Sequence, residues 1–278
     1  MVAYMDHKDL ANETIDEERA RQITDGVHKV LDGIAEAESA AGREAGSVTL
    51  LAATKTRDVG EIMAAIDAGV RVIGENRPQE VEVKTAGLTR LCADRGFALG
   101  AAAKRGATLT APASDDTFPL VPLPFHLIGQ LQSNKINKVL PSVTTIESVD
   151  TLSLAEKIAR RAVVRGITVG VLLEVNESGE ESKSGCDPAE AVDLAHRIAA
   201  LEGVRLEGLM TIGAHVSDEA VIRRGFAHLR ETRDALRADI PSCRELSMGM
   251  THDMALAIDE GSTIVRVGTA IFGPRAFI

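Results

Sequence analysis

Long apolar runs, paired cysteines and concentrated positive charge are all missing from this chain. No uninterrupted apolar stretch approaches the roughly 20 residues of a membrane-spanning helix. The opening MVAYMDHKDLANET is polar where a signal peptide carries an apolar core, so a soluble protein is expected. Cys92, Cys186 and Cys243 are odd in number, far apart and without CxxC spacing. That excludes a disulfide framework and a zinc finger, and a reducing cytoplasm is the expected compartment. The formal net charge of -10 excludes a general affinity for nucleic acid or anionic membrane. An anionic ligand would need a local site.

What is present is a rhythm. Short β-branched runs recur at 48–54, 70–74, 125–129, 144–148, 168–175, 204–212, 244–248 and 263–268, which makes eight strand candidates. Helical spacing fits between nearly all of them, at 59–69, 76–86, 132–140, 150–165, 187–202, 218–238 and 253–260. Start signals support several of these helices: Asp58 with Glu61 as a capping box, Asp187 before Pro188, and Asn76 two residues before Pro78. An extra N-terminal helix carries Ile23, Val27, Val30, Leu31 and Ile34 on one face, with Thr14 to Glu17 as its capping box. Eight strand-then-helix repeats with strands apolar on both faces predict a single α/β domain over 1–278, a (β/α)8 TIM barrel. A doubly wound open sheet is the alternative, but no G-x-G-x-x-G turn follows the first strand. Residues 1–13 are expected to be flexible. The stretch 87–124 breaks the rhythm and reads as an insertion, part helix and part loop, either a lid or a surface excursion.

Ligands of such a barrel bind at the carboxyl ends of the strands, so residues just after each apolar run matter most. After the first strand, LLAATKTRD places Lys55 at that rim. A lysine partly desolvated between apolar walls has its ammonium form disfavoured, and its neutral amine can attack an aldehyde. A reach back to water is the plain alternative. At the last two strands, SMGMTHD and VGTAIFG offer small residues, backbone N–H groups and helix starts, with Thr251 ahead of one helix and Gly268 with Thr269 opening another. These features suit a phosphate, and plain turn glycines account for them equally. Closure of the barrel sets the first strand beside the eighth, which joins the amine to the phosphate cradle. An aldehyde that carries a phosphate points to pyridoxal phosphate.

The blocks ATKT, GENRPQE, FHLIGQLQSNK, VNESGEESKSG, GLMTIG, LSMGMTHDMALAI and GSTIVRVGTAIFGPR occur in this order from about 48 to 275. Together they resemble the YggS-type pyridoxal phosphate homeostasis proteins. The resemblance implies a barrel related to the cofactor domain of alanine racemase, with pyridoxal 5'-phosphate as an internal aldimine, a Schiff base, on Lys55. It implies Asn76 near the ring, Thr251, Gly268, Thr269 and more weakly Ser247 at the phosphate, and Arg266 beside the pyridine nitrogen. A guanidinium there donates and holds the nitrogen unprotonated, which disfavours carbanion chemistry. The implied function is storage, sequestration and delivery of the cofactor, with little or no turnover, by a monomer with pyridoxal phosphate-dependent apo-enzymes as the expected partners. Three positions depart from the family pattern: Phe125 where a tryptophan is often seen, Arg77 with Pro78 where an aromatic follows GEN, and the long 87–124 segment.

Rival readings follow from other residues. An amino-acid racemase would need a second base, usually a tyrosine from an extra C-terminal domain, and Tyr4 is the single tyrosine here. A metal-dependent hydrolase would draw on His126, His215, His252 and Asp253, but no HxH or HExxH pair is present. Lys183 in GEESKSG is a second candidate for the Schiff base, with loop ordering or contact to an anion as the alternatives. Lys135 reads as a residue near the phosphate mouth or an exposed helix position. Lys157, Arg160, Arg161 and Arg165 form a basic helix stripe that would suit an adaptor docking a client protein, or plain solvation.

Overall fold

The computed structural model describes residues 9–101, 119–180 and 183–274. The helix α1 (Glu17–Ala40) precedes a run of strands and helices: β1 (Thr49–Ala53), α2 (Val59–Asp67), β2 (Val72–Glu75), α3 (Pro78–Ala93), β3 (Phe97–Leu99), β4 (Val121–Leu123) and β5 (Phe125–Leu127). There follow α4 (Ile136–Val139), β6 (Thr145–Val149), α5 (Leu152–Val164), β7 (Val169–Glu174), α6 (Ala191–Ala199), β8 (Val204–Met210), α7 (Glu219–Leu236), β9 (Glu245–Ser247), α8 (Met254–Asp259), β10 (Ile264–Val267) and α9 (Thr269–Phe272).

Eight of the strands close into a barrel in the order β1-β10-β9-β8-β7-β6-β5-β2, and every pairing in it is parallel. Each coincides with one of the eight apolar runs. The reason is visible in β7, whose six residues VGVLLE are all buried, because helices cover a parallel barrel outside and side chains fill it inside. On α6 the buried residues Ala191, Leu194, Ala195 and Ile198 recur at i, i+3, i+4 and i+7, the stripe that a covering helix needs. The seam pairs Thr49 with Ile264 and Ala52 with Val267, so the chain leaving β1 emerges beside the chain leaving β10.

The helix α1 lies across that seam, against α2, α8 and α9. It buries Ile23, Val27, Val30 and Ile34, and Gly26 permits its closest approach, since a Cβ there would lie 2.5 Å from the Ile271 carbonyl oxygen. Its buried Glu38 accepts from the backbone N–H groups of Gly46 (2.9 Å) and Val48 (2.7 Å), which ties the helix end to the start of β1.

Several expected details differ. The N-cap of α1 is Asp16, which accepts from the Arg19 N–H at 2.8 Å, whereas the Thr14 hydroxyl donates to Asn12 Oδ1. Asn76 does not cap α3; Arg77 stands at that position without a side-chain cap bond. Residues 87–93, assigned from sequence to an insertion, continue α3, with Leu88 and Cys92 fully buried. The same stretch contributes β3 and β4, a separate two-stranded parallel sheet. Of the start expected to be flexible, 1–13, residues 1–8 lie outside the described residues, as does the middle of the insertion at 102–118. Leu10, in contrast, is buried, and the Leu10 and Asn12 carbonyls accept from the Val59 and Gly60 N–H groups at 3.3 and 2.9 Å. Among the described residues, no helix is long and apolar enough to cross a membrane.

Candidate functional site

A cavity of about 180 Å³ opens at the carboxyl ends of the strands, across the β1–β10 seam. Lys55, Asn76, Thr251, Arg266, Gly268 and Thr269 line it, together with Ala53, Ile128, Ile212 and Met250. Six of the seven residues named from sequence therefore meet in one place. Ser247 does not: its side chain is fully buried inside the barrel, where its hydroxyl bonds to Glu147 and Arg266. A cavity well below the ~300 Å³ of drug-sized pockets suits a small ligand.

The backbone on both sides of Lys55 is held by a buried ionic cluster. Thr54 donates its N–H to the Gly74 carbonyl at 2.9 Å and its hydroxyl to Glu75 Oε1 at 2.6 Å, while its own carbonyl accepts from Lys84 Nζ at 3.1 Å. Thr56 has a φ of 65°, a left-handed conformation that is rare for a β-branched residue. Its N–H donates to Glu80 Oε2 at 2.7 Å, which fixes that conformation. Lys84 Nζ joins the two acids, 2.7 Å from Glu75 Oε1 and 2.8 Å from Glu80 Oε2, and all three side chains are fully buried. Burial, against the opposing pull of Lys84 and with the neighbouring charge of Glu80 adding to it, leaves the Glu75 carboxyl raised to about 7. This cluster has a weak sequence signal: Glu80 and Lys84 are an i, i+4 pair of the kind normally found on helix surfaces.

Arg266 enters the cavity from β10. One of its terminal nitrogens donates to Ser247 Oγ at 2.7 Å and the other to the Thr211 carbonyl at 2.8 Å. Burial lowers its pKa from the ordinary arginine value, and the charges of Glu147, Glu174 and Asp253 push back. Glu174, at the end of β7, is pushed up to about 7 by burial against the opposing hydrogen bond from Ser184, with nearby Asp150 raising it further.

The side of the cavity that carries Thr251, Gly268 and Thr269 is built from loops. Asp253 Oδ1 accepts the Met250 N–H at 2.6 Å, which folds the loop that carries Thr251. Gly268 precedes α9, where the Ile271 and Phe272 amides donate back to the Gly268 carbonyl at 3.1 and 2.9 Å and those of Thr269 and Ala270 have no acceptor within the helix; a Cβ at Gly268 would lie 3.0 Å from the Ala53 carbonyl oxygen. Opposite, Asn76 Oδ1 is buried without a hydrogen-bond partner. A buried acceptor left without a partner, an amine, a guanidinium and a small-residue loop suit a ligand that has a donor, a carbonyl, a ring acceptor and an anionic end.

The other candidates take different places. Lys183 Nζ bonds to Glu180 Oε1 at 2.7 Å and to the Gly213 carbonyl at 2.9 Å, so it ties the loop after β7 to the loop after β8. Lys135 sits half-buried in the short helical turn before α4. His126 is buried against Glu147, whereas His215 and His252 are exposed. Among the described residues, no three His, Cys, Asp or Glu side chains cluster in a way that would hold a metal ion. Arg161 of the basic stripe donates to the Ser133 carbonyl at 2.8 Å.

The model for the alanine racemase N-terminal domain matches residues 34–276. The pyridoxal phosphate homeostasis protein of Vibrio cholerae is 36% identical over 257 residues, 92% of this chain and 98% of that one. The chain belongs to this family. A crystal structure of an unknown protein from Bifidobacterium adolescentis is similar with a TM-score of 0.88 and 70% identity, covering 95% of this chain and all of that one. The structure of PipY from Synechococcus elongatus with pyridoxal phosphate bound has a TM-score of 0.65 and 33% identity, covering 86% of this chain and all of that one.

Proposed function

We propose that the chain binds pyridoxal 5'-phosphate at the β1–β10 seam and serves in pyridoxal phosphate homeostasis, storing the cofactor and passing it to apo-enzymes as a cytoplasmic monomer. The observation that carries this reading is the meeting of Lys55 with Gly268 and Thr269 on one small cavity, in a family that includes PipY. Bound pyridoxal phosphate supplies an aldehyde for covalent attachment and an electron-accepting ring.

Lys55 offers its Nζ as the point of attachment, and the fixed peptides of Thr54 and Thr56 keep it at the rim. Thr251, Gly268 and Thr269 receive the phosphate with hydroxyls and backbone amides. Asn76 gains a partner for its buried Oδ1. Arg266, which lines the cavity, would donate to the ring nitrogen and keep it from taking a proton, which would weaken the ring as an electron sink. Among the described residues, those lining the cavity beside Lys55 include no tyrosine, histidine, cysteine or carboxylate.

The test is an absorption spectrum of the purified wild type beside Lys55→Ala, followed by incubation with an apo-enzyme that requires the cofactor. A chromophore in the wild type alone, with transfer to the apo-enzyme and negligible alanine racemisation, is the expected outcome. Efficient racemisation of alanine by the isolated protein would replace storage with catalysis as its function.

A further inference from the structure

Behind Arg266, a line of buried hydrogen bonds crosses the interior of the barrel. Arg266 on β10 donates to Ser247 Oγ on β9 at 2.7 Å, Ser247 Oγ meets Glu147 Oε2 on β6 at 2.6 Å, and Glu147 Oε1 meets His126 Nδ1 on β5 at 2.7 Å. Glu147 and Ser247 have no exposed surface, and Arg266 and His126 are 6% and 7% exposed. His126 also lines a second cavity, of about 480 Å³, at the amino-terminal mouth of the barrel, together with Thr145, Arg205, Glu207 and Glu245.

The chemistry of the four groups gives the line a direction. Burial alone would push the Glu147 carboxyl up, but the hydrogen bond and charge of His126, the charge of Arg266 and the hydrogen bond of Ser247 bring it below its ordinary value, so it is ionised. An ionised carboxylate only accepts, which means that the Ser247 hydroxyl donates its hydrogen bond to Glu147 Oε2 and His126 Nδ1–H donates to Glu147 Oε1. The Ser247 lone pairs are then aimed at Arg266. A guanidinium has five N–H donors; the bonds to Ser247 and to the Thr211 carbonyl commit its back edge and fix its plane. Glu147 is also the leading negative charge that offsets the burial of Arg266.

We propose that Glu147 and Ser247 are positioning residues that fix the direction and charge of the Arg266 guanidinium at the cofactor ring, with His126 anchoring Glu147 from the opposite mouth. This rests on the reading of Lys55 and Arg266 as pyridoxal phosphate residues. It extends the site to side chains on β5 and β6 that do not line the cavity.

The experiment titrates pyridoxal 5'-phosphate into the purified wild type, Glu147→Gln, Ser247→Ala, Arg266→Gln and the Glu147→Gln, Arg266→Gln double variant. It reads the absorption band of the bound form, the Kd, the thermal midpoint and, after borohydride reduction, the adduct on Lys55. Glu147→Gln should shift the band and weaken Kd about tenfold, the low end of what loss of an outer hydrogen-bond partner does at metal sites, while the Lys55 adduct persists. Ser247→Ala should shift the band in the same direction, and it decides the matter if Glu147→Gln does not fold. In the Arg266→Gln background the Glu147 substitution should change neither band nor Kd further, since its effect runs through Arg266. A wild-type band and Kd in Glu147→Gln and Ser247→Ala, or an equal effect of Glu147→Gln in both backgrounds, overturns the positioning role alone. Absence of a Lys55 adduct from the wild type overturns the cofactor reading and this one with it.

Discussion

Replacing Lys84 with methionine keeps most of the apolar stem and removes the ammonium that joins Glu75, Glu80 and the Thr54 carbonyl. Both acids have no exposed surface, and each has one carboxylate oxygen, Glu75 Oε2 and Glu80 Oε1, without a hydrogen-bond partner even with the lysine present. Removing one member of a buried ionic cluster typically costs about 3–5 kcal/mol, because the remaining charges stay desolvated. At roughly 2–4 °C per kcal/mol for chains approaching this size, the melting temperature should fall by about 10 °C. The loss should depend on pH with a definite sign. Without Lys84, which pulls the Glu75 carboxyl down, burial raises it further above its ordinary range. The native variant then binds more protons than its unfolded chain, and its stability falls as pH rises through that window. Urea unfolding of wild type and Lys84→Met at pH 5.5 and pH 7.5 should show the smaller deficit at the lower pH. Amide exchange at Thr56 should quicken as well, since its acceptor Glu80 loses its anchor. A deficit below about 1 kcal/mol at both pH values, or one that grows on acidification, would refute the view that this cluster is a charged clamp on the Lys55 loop.

Three further outcomes are expected. Glu174, raised from 4.5 to about 7, takes stability away as pH climbs from the lower value to the higher, so Glu174→Gln should flatten the unfolding free energy in that window, at about 1.4 kcal/mol per pH unit of displacement; an unchanged slope in urea melts would count against it. Gly129→Ala would set a Cβ 2.3 Å from the Asn76 carbonyl oxygen. It should cost about 1–3 kcal/mol in unfolding experiments and weaken pyridoxal phosphate binding by displacing Asn76. The buried thiols of Cys92, Cys186 and Cys243 are pushed up to about 11, 12 and 11 by desolvation. Native protein should therefore resist a thiol-specific colour reagent that reads three thiols in denaturant.

The barrel was legible because a parallel strand buried on both faces writes itself as an unbroken apolar run, as VGVLLE does in β7. The rim residues were legible because they follow those runs. Local competition was harder to read: Thr14 and Asp16 are both fit to cap α1, and the choice fell to Asp16 because Asn12 holds the Thr14 hydroxyl. The three-residue strands β3 and β4 are too short to show alternation, and Gly87 interrupts the helical pattern that α3 in fact continues. Partners across the barrel leave no local signature. Ser247 and Glu147 are 100 residues apart in sequence, and their bond holds Ser247 inside the barrel behind Arg266 rather than beside Thr251. Glu80 and Lys84 look like a surface pair until the fold buries both.

The most direct measurement is peptide mass spectrometry of the protein loaded with pyridoxal phosphate and reduced with borohydride. A pyridoxyl adduct on Lys55 alone is the predicted result. An adduct on Lys183 instead, or on no lysine, would contradict the assignment of the β1–β10 seam as the place where the cofactor is held.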